Sequence, residues 1–158
     1  MTLPGQRLKI MNLGGKVSDL SLINEVWYKD GLHFKCTGCG KCCTGAPGYV
    51  WLEEEDIVRL SKRLKIPREL FLKRYTRLVG SRYSLTEDPI NYDCIFLKDQ
   101  KECTLYEDRP KQCKTFPFWK DALESPEAWE EEKERCEGID HPDAPCIPLE
   151  EIQKDLQS

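Results

Sequence analysis

The feature that most constrains this chain is the run Cys36-Thr-Gly-Cys39-Gly-Lys-Cys42-Cys43, in which three cysteines repeat as C-x2-C-x2-C and a fourth directly follows the third. A C-x2-C spacing lets two thiolates grip one ion while amides of the intervening turn point at the sulfurs and stabilise their charge. Gly38 and Gly40 allow the backbone to turn tightly around a bound centre. Cys94, Cys103, Cys113, Cys136 and Cys146 bring the total to nine cysteines in 158 residues.

Thiols at that density form either a disulfide framework or a set of soft metal ligands. The opening residues MTLPGQRLKIMNLGGK lack the continuous apolar region and small-residue cleavage site of a secretion signal, and no stretch approaches the roughly 18 apolar residues of a membrane span. The expectation is a cytoplasmic protein with reduced thiols and no membrane partner. An odd count also leaves one cysteine over in any all-disulfide scheme. Metal ligation is the reading that follows.

The first three cysteines match the start of a bacterial ferredoxin run, C-x2-C-x2-C-x3-C-P, but its fourth position is here Ala46, followed by Pro47. Further ligands must come from Cys43 or from the distal group Cys94, Cys103, Cys113 and Cys136. Adjacent Cys42 and Cys43 are expected to serve two centres, or one to ligate while the other bridges or packs, because facing one tetrahedral ion together would strain the backbone. Eight cysteines from Cys36 to Cys136 complete two sites of four thiolates and leave Cys146 over. Thiolates suit zinc and iron-sulfur centres alike, so spacing leaves the metal open.

Apolar periodicity places a helix over about 53–65, with Ile57, Leu60 and Leu64 on one face, Glu53 to Asp56 at its start and Lys62, Arg63 and Lys65 at its end. A second helix is expected after Pro67, with Phe71, Tyr75 and Leu78 as its stripe and Gly80 as its stop. Val50-Trp51-Leu52 and Tyr83-Ser84-Leu85 read as extended, and Cys94 to Leu97 with Cys103 to Tyr106 read as a hairpin turning at residues 98–101. Short helices are expected near 108–114, over 127–135 after Ser125-Pro126, and at the C-terminus. The predicted fold class is a small single α+β domain, with short helices and a β-hairpin packed around a cysteine-ligated metal centre.

The formal net charge of −4 argues against a nucleic-acid partner, but the charge is uneven. Arg59, Lys62, Arg63, Lys65, Arg68, Lys73, Arg74, Arg77 and Arg82 face a single acid, Glu69, in their stretch, whereas 121–140 is rich in Glu and Asp. These are either two solvated faces that neutralise each other in the fold or a basic surface for an anionic protein partner. Tyr106 and Arg109 lie between presumed ligand cysteines, where Arg109 either offsets thiolate charge or makes a structural ion pair. His33 and His141 are the two histidines, and with eight thiolates present neither is needed as a ligand. There is no phosphate-cradling glycine motif, no G-x-S-x-G and no H-E-x-x-H, so no catalytic residue is assigned.

These residues resemble the CxxCxxCC cysteine-cluster proteins (YkgJ-like), a zinc- or iron-chelating family. The resemblance rests on Phe34-Lys-Cys36 through Cys43, Cys94-Ile-Phe-Leu97, Cys103-Thr-Leu-Tyr106-Glu-Asp-Arg109-Pro110-Lys-Gln-Cys113, Phe116-Pro117, and Cys136 with Gly138-Ile139. It implies metal chelation by Cys36, Cys39, Cys42, Cys43, Cys94, Cys103, Cys113 and Cys136, and it leaves Cys146 outside the pattern. It also implies a division into an arm, 1–33, a cysteine-cluster unit, 34–139, and a tail, 140–158. Within that family a similar cluster is associated with flagellin lysine methylation, and some members are labelled iron-sulfur oxidoreductases. The functional expectation is one or two zinc ions in closed structural thiolate sites. The alternatives are iron or an iron-sulfur cluster in a redox or methylation-associated protein, and a metal-stabilised interaction module with a basic surface.

Overall fold

The computed structural model describes residues 26–45 and 47–157. Most of the expected arm, 1–33, lies outside the described residues, as does Ala46. In chain order the elements are strand β1, Leu32–His33; a single 3-10 turn, Lys41–Cys43; strand β2, Trp51–Leu52; helix α1, Glu54–Leu64; helix α2, Arg68–Tyr75; strand β3, Thr76–Val79; and strand β4, Arg82–Leu85. There follow strands β5, Leu97–Lys98, and β6, Glu102–Cys103; a 3-10 turn, Tyr106–Asp108; helices α3, Lys111–Thr115, and α4, Pro126–Arg135; strand β7, Cys146–Ile147; and helix α5, Leu149–Leu156. Among the described residues, five helices and three small antiparallel sheets make this an α+β fold.

Local chemistry explains the helix ends. The Asp56 carboxylate accepts the Glu53 backbone N–H at 3.1 Å and so caps α1, which closes with Lys65 in the left-handed region at φ 55°. Ser125 accepts the Ala128 N–H at 3.2 Å and Pro126 fills the first turn of α4, as its sequence predicts. The expected helix after Pro67 stops early. Chain 76–79 is strand β3, paired antiparallel with β4 from Thr76 opposite Leu85 to Val79 opposite Arg82, and Leu78 is exposed rather than part of a helical stripe. Ladder pairing on a β-branched Thr76 and Val79 outweighs a helical spacing of apolar residues.

Two apolar clusters form the core. One holds Tyr28, Leu32, Phe118, Leu123, Trp129, Cys136, Ile139, Leu149 and Ile152, and joins β1 to α4 and α5. The other holds Leu52, Ile57, Leu60, Phe71, Leu85, Phe96 and Leu105, with Cys94 and Cys103 packed against it. Pairing of β1 with β7 in register Leu32 to Ile147 brings chain 26–33 onto the C-terminal segment. Among the described residues no helix is long and apolar enough to cross a membrane.

Candidate metal centre

Six segments deliver the eight expected ligand cysteines. Cys36 and Cys39 stand in the loop after β1, Cys42 and Cys43 in the first 3-10 turn, Cys94 just before β5, Cys103 at the end of β6, Cys113 in α3 and Cys136 at the end of α4. The loop is tied to its surroundings by backbone bonds: Lys35 N–H donates to the Gly138 carbonyl at 3.0 Å, and Cys94 N–H donates to the Cys43 carbonyl at 2.8 Å. Two glycines permit these close approaches. A Cβ at Gly40, whose φ is +70° to +80°, would stand 2.8 Å from the Gln100 carbonyl oxygen, and one at Gly138 would stand 2.2 Å from the Lys35 carbonyl oxygen.

Cys36, Cys42, Cys43, Cys94, Cys103 and Cys113 line one cavity of about 290 Å³. Its remaining walls include Phe96 and Leu105 from the second core cluster, Phe116, Trp119, Gln112 and Arg109. Cys39 and Cys136 do not line it; beyond burial, the charges of Cys39 and Cys42 raise the proton affinity of Cys136. Cys42 joins the two groups, because its charge acts on Cys43, Cys94, Cys103, Cys113 and Cys136 alike. Cys146 sits apart, exposed, with its Sγ 3.5 Å from the Asp30 carbonyl.

Burial and mutual repulsion hold most of these thiols protonated. Burial raises Cys94, Cys103 and Cys136, and pushes Cys113 up to about 12. Cys43 is raised by its hydrogen bond to Cys42 and then by burial, whereas that same bond draws Cys42 down to about 7. Opposing these costs, backbone amides two or three residues on point at the sulfurs: Phe96 toward Cys94, Leu105 toward Cys103, and Gly138 with Ile139 toward Cys136. The expected amide-to-sulfur arrangement therefore occurs at the distal cysteines, where a sequence search for C-x2-C does not look. Buried thiols crowded together with amide dipoles aimed at them are a donor set that fits a soft cation. Among the described residues no three Cys, His, Asp or Glu side chains already stand at the spacing of one ion. Binding would draw the thiols inward.

Cys42 and Cys43, expected either to serve two centres or to act as one ligand beside a bridging or packing neighbour, both line the same cavity with their Sγ atoms 3.9 Å apart. Zinc bound by thiolates at about 2.3 Å holds them about 3.8 Å from one another, so this spacing is one edge of such a tetrahedron. His33 and His141 are elsewhere: the His33 carbonyl accepts the Asp140 N–H at 2.9 Å, and His141 Nδ1 accepts the Asp143 N–H at 3.2 Å. Trp119, Phe116 and Gln112 are cavity walls that charge and spacing arguments missed. Gln112 carried a signal in its place beside Cys113, and its amide pins the strand opposite, accepting Trp51 N–H at 2.8 Å and donating to the Tyr49 carbonyl at 2.9 Å.

The basic stretch is largely engaged. Arg59 pairs with Asp56, Arg63 with Asp108, Arg68 with Glu54, Arg77 with Glu87 and Arg82 with Glu53. Arg77 and Arg82 also cover the stacked rings of Tyr49 and Trp51, at 4.9 and 4.5 Å from the ring centroids. Its partners are these local acids and not the acidic segment 121–140.

Comparison with known proteins follows the same residues. The family model CxxCxxCC, described as a "putative zinc- or iron-chelating domain", matches residues 35–147. An uncharacterized protein of Methanocaldococcus jannaschii is 34% identical over 105 residues, which are 66% of this chain and 55% of that relative. The chain thus spans about half the length of the curated relative it matches. No solved structure matches it.

Proposed function

The chain belongs to the CxxCxxCC family of zinc- or iron-chelating domains, and from that premise we propose that Cys36, Cys39, Cys42, Cys43, Cys94, Cys103, Cys113 and Cys136 hold the metal in thiolate sites that bind the two core clusters together. The observation that carries this reading is the cavity onto which six thiols from five chain segments converge. Cys94 and Cys103 pack against one cluster and Cys136 belongs to the other. A metal held by all of them closes the fold, and its binding free energy becomes folding free energy.

In this reading the metal is zinc, in closed all-thiolate sites whose role is structural. The 3.9 Å spacing of Cys42 and Cys43 supports it. Cys42 is the candidate shared between the cavity group and the Cys39–Cys136 pair. The cysteine-cluster unit of this reading runs over residues 34–139, and the arm before it and the tail after it meet in the β1–β7 pair. A second reading, an iron-sulfur cluster, is favoured by the size of the cavity, since about 290 Å³ exceeds the room one ion needs and a cluster brings its own sulfides to hold thiolates farther apart.

Metal and acid-labile sulfide analysis of protein purified without oxygen separates the two. Stoichiometric zinc without sulfide is the expected result. Iron with matching sulfide selects the cluster, and neither metal at stoichiometric level overturns the proposal.

A further inference from the structure

We propose that Arg109 is the built-in counter-cation of the thiolate centre, with its guanidinium donating Nε–H to a ligand sulfur when metal is held. This rests on the metal-chelating reading above and adds to it a residue that is not itself a ligand.

Three observations carry it. Arg109 lines the same cavity as the six thiols. Its Nε is buried and has no hydrogen-bond partner, and among the described residues no carboxylate forms an ion pair with it. Arg77 also leaves Nε unpartnered, but its Nη2 is paired with Glu87. A buried guanidinium nitrogen without an acceptor is costly, so this one marks a place where an acceptor belongs.

The side chain is also held in position before any acceptor arrives. Its guanidinium lies 3.8 Å from the Tyr106 ring centroid, a cation–π stack that fixes the plane of the fork. The backbone beneath it is locked from α1: the Arg109 carbonyl accepts Arg59 Nη2 at 2.8 Å, and Asp56, 2% exposed, accepts the Lys111 N–H at 3.1 Å while pairing with Arg59. Asp56 and Arg59 thus clamp the Arg109-Pro110 turn from both sides.

The charge balance explains what the arginine is for. Each thiol releases its proton to solvent on binding, and four thiolates around one divalent ion leave two negative charges. The guanidinium stays protonated throughout and offsets one of them without competing for the metal. A lysine in its place supplies the charge but not the planar fork.

The test compares the full chain with its Arg109→Gln and Arg109→Lys variants, each loaded with zinc and challenged with a chromophoric chelator. Arg109→Gln is expected to give up zinc roughly 10–100-fold more readily, as loss of a partner of a metal ligand does. Arg109→Lys should fall between it and the wild type. Low concentrations of guanidinium should restore retention in Arg109→Gln, an effect a purely structural arginine would not show. Arg109→Gln holding zinc as tightly as the wild type overturns the assignment. If Arg109→Gln does not fold, Arg109→Lys decides, and wild-type retention in that variant overturns the role of the fork. A wild-type chain that takes up neither zinc nor iron overturns the metal reading itself, and this one with it.

Discussion

The Sγ atoms of Cys42 and Cys43 lie 3.9 Å apart, so two thiols adjacent in sequence are within hydrogen-bonding reach of each other. That bond stabilises the thiolate of Cys42 and the thiol of Cys43, and splits their proton affinities in opposite directions. In reduced, metal-free protein Cys42 should therefore be the readiest nucleophile of the cavity, with an alkylation midpoint at about pH 7. Iodoacetamide labelling mapped by mass spectrometry checks this. Equal labelling of Cys113, whose thiol burial pushes up to about 12, would contradict it.

Metal binding must displace protons from thiols whose proton affinity is raised. Cys43, Cys94, Cys103, Cys113 and Cys136 are all shifted upward, so at neutral pH they carry protons until the metal removes them. Affinity then falls as pH falls, because protons compete for the same sulfurs. Titration of the metal-free protein in weak buffer should release protons, and chelator competition should become easier toward acid. An affinity independent of pH would be inconsistent with thiol ligands of this kind.

In the proposed reading the ligand cysteines come from both core clusters, so removing the metal should cost stability on the scale of the whole fold, about 5–15 kcal/mol. Chelation, or Cys39→Ser, is expected to abolish the cooperative thermal transition seen by circular dichroism. Survival of that transition in metal-stripped protein would show that the clusters hold together without it.

Gly138 gives a steric test. A methyl group there would stand 2.2 Å from the Lys35 carbonyl oxygen, and that oxygen belongs to backbone that cannot swing away like a side chain. Gly138→Ala should destabilise by about 1–3 kcal/mol and loosen metal retention, because Lys35 and Gly138 adjoin Cys36 and the Cys136 segment. An unchanged melting temperature would mean that the Lys35–Gly138 contact has slack.

Elements whose ends carry their own chemistry were legible in the sequence. The acid at Asp56 and the Ser125-Pro126 pair mark the starts of α1 and α4, and the turn of the hairpin was placed within a residue, Asp99 and Gln100 adopting φ of 52° and 57°, but its arms are Leu97–Lys98 and Glu102–Cys103 rather than the expected Cys94 to Leu97 and Cys103 to Tyr106. Chain 76–79 was not legible, since Phe71, Tyr75 and Leu78 keep a helical spacing and the partner that turns them into a strand lies across Gly80. Spacing and resemblance name the expected ligand cysteines, but their arrangement in space could not be read from the sequence. Which amides point at Cys94, Cys103 and Cys136, how Asp56 clamps the turn below Arg109, and why Trp119 walls the cavity all depend on contacts between distant segments.

Native mass spectrometry of the full chain, purified without oxygen, tests the central claim most directly. The account predicts a mass above that of the polypeptide by bound metal, less one proton for each ligand thiol, and its loss under denaturing conditions. A native mass equal to that of the bare chain, with its cysteines reduced or linked as disulfides, would contradict it.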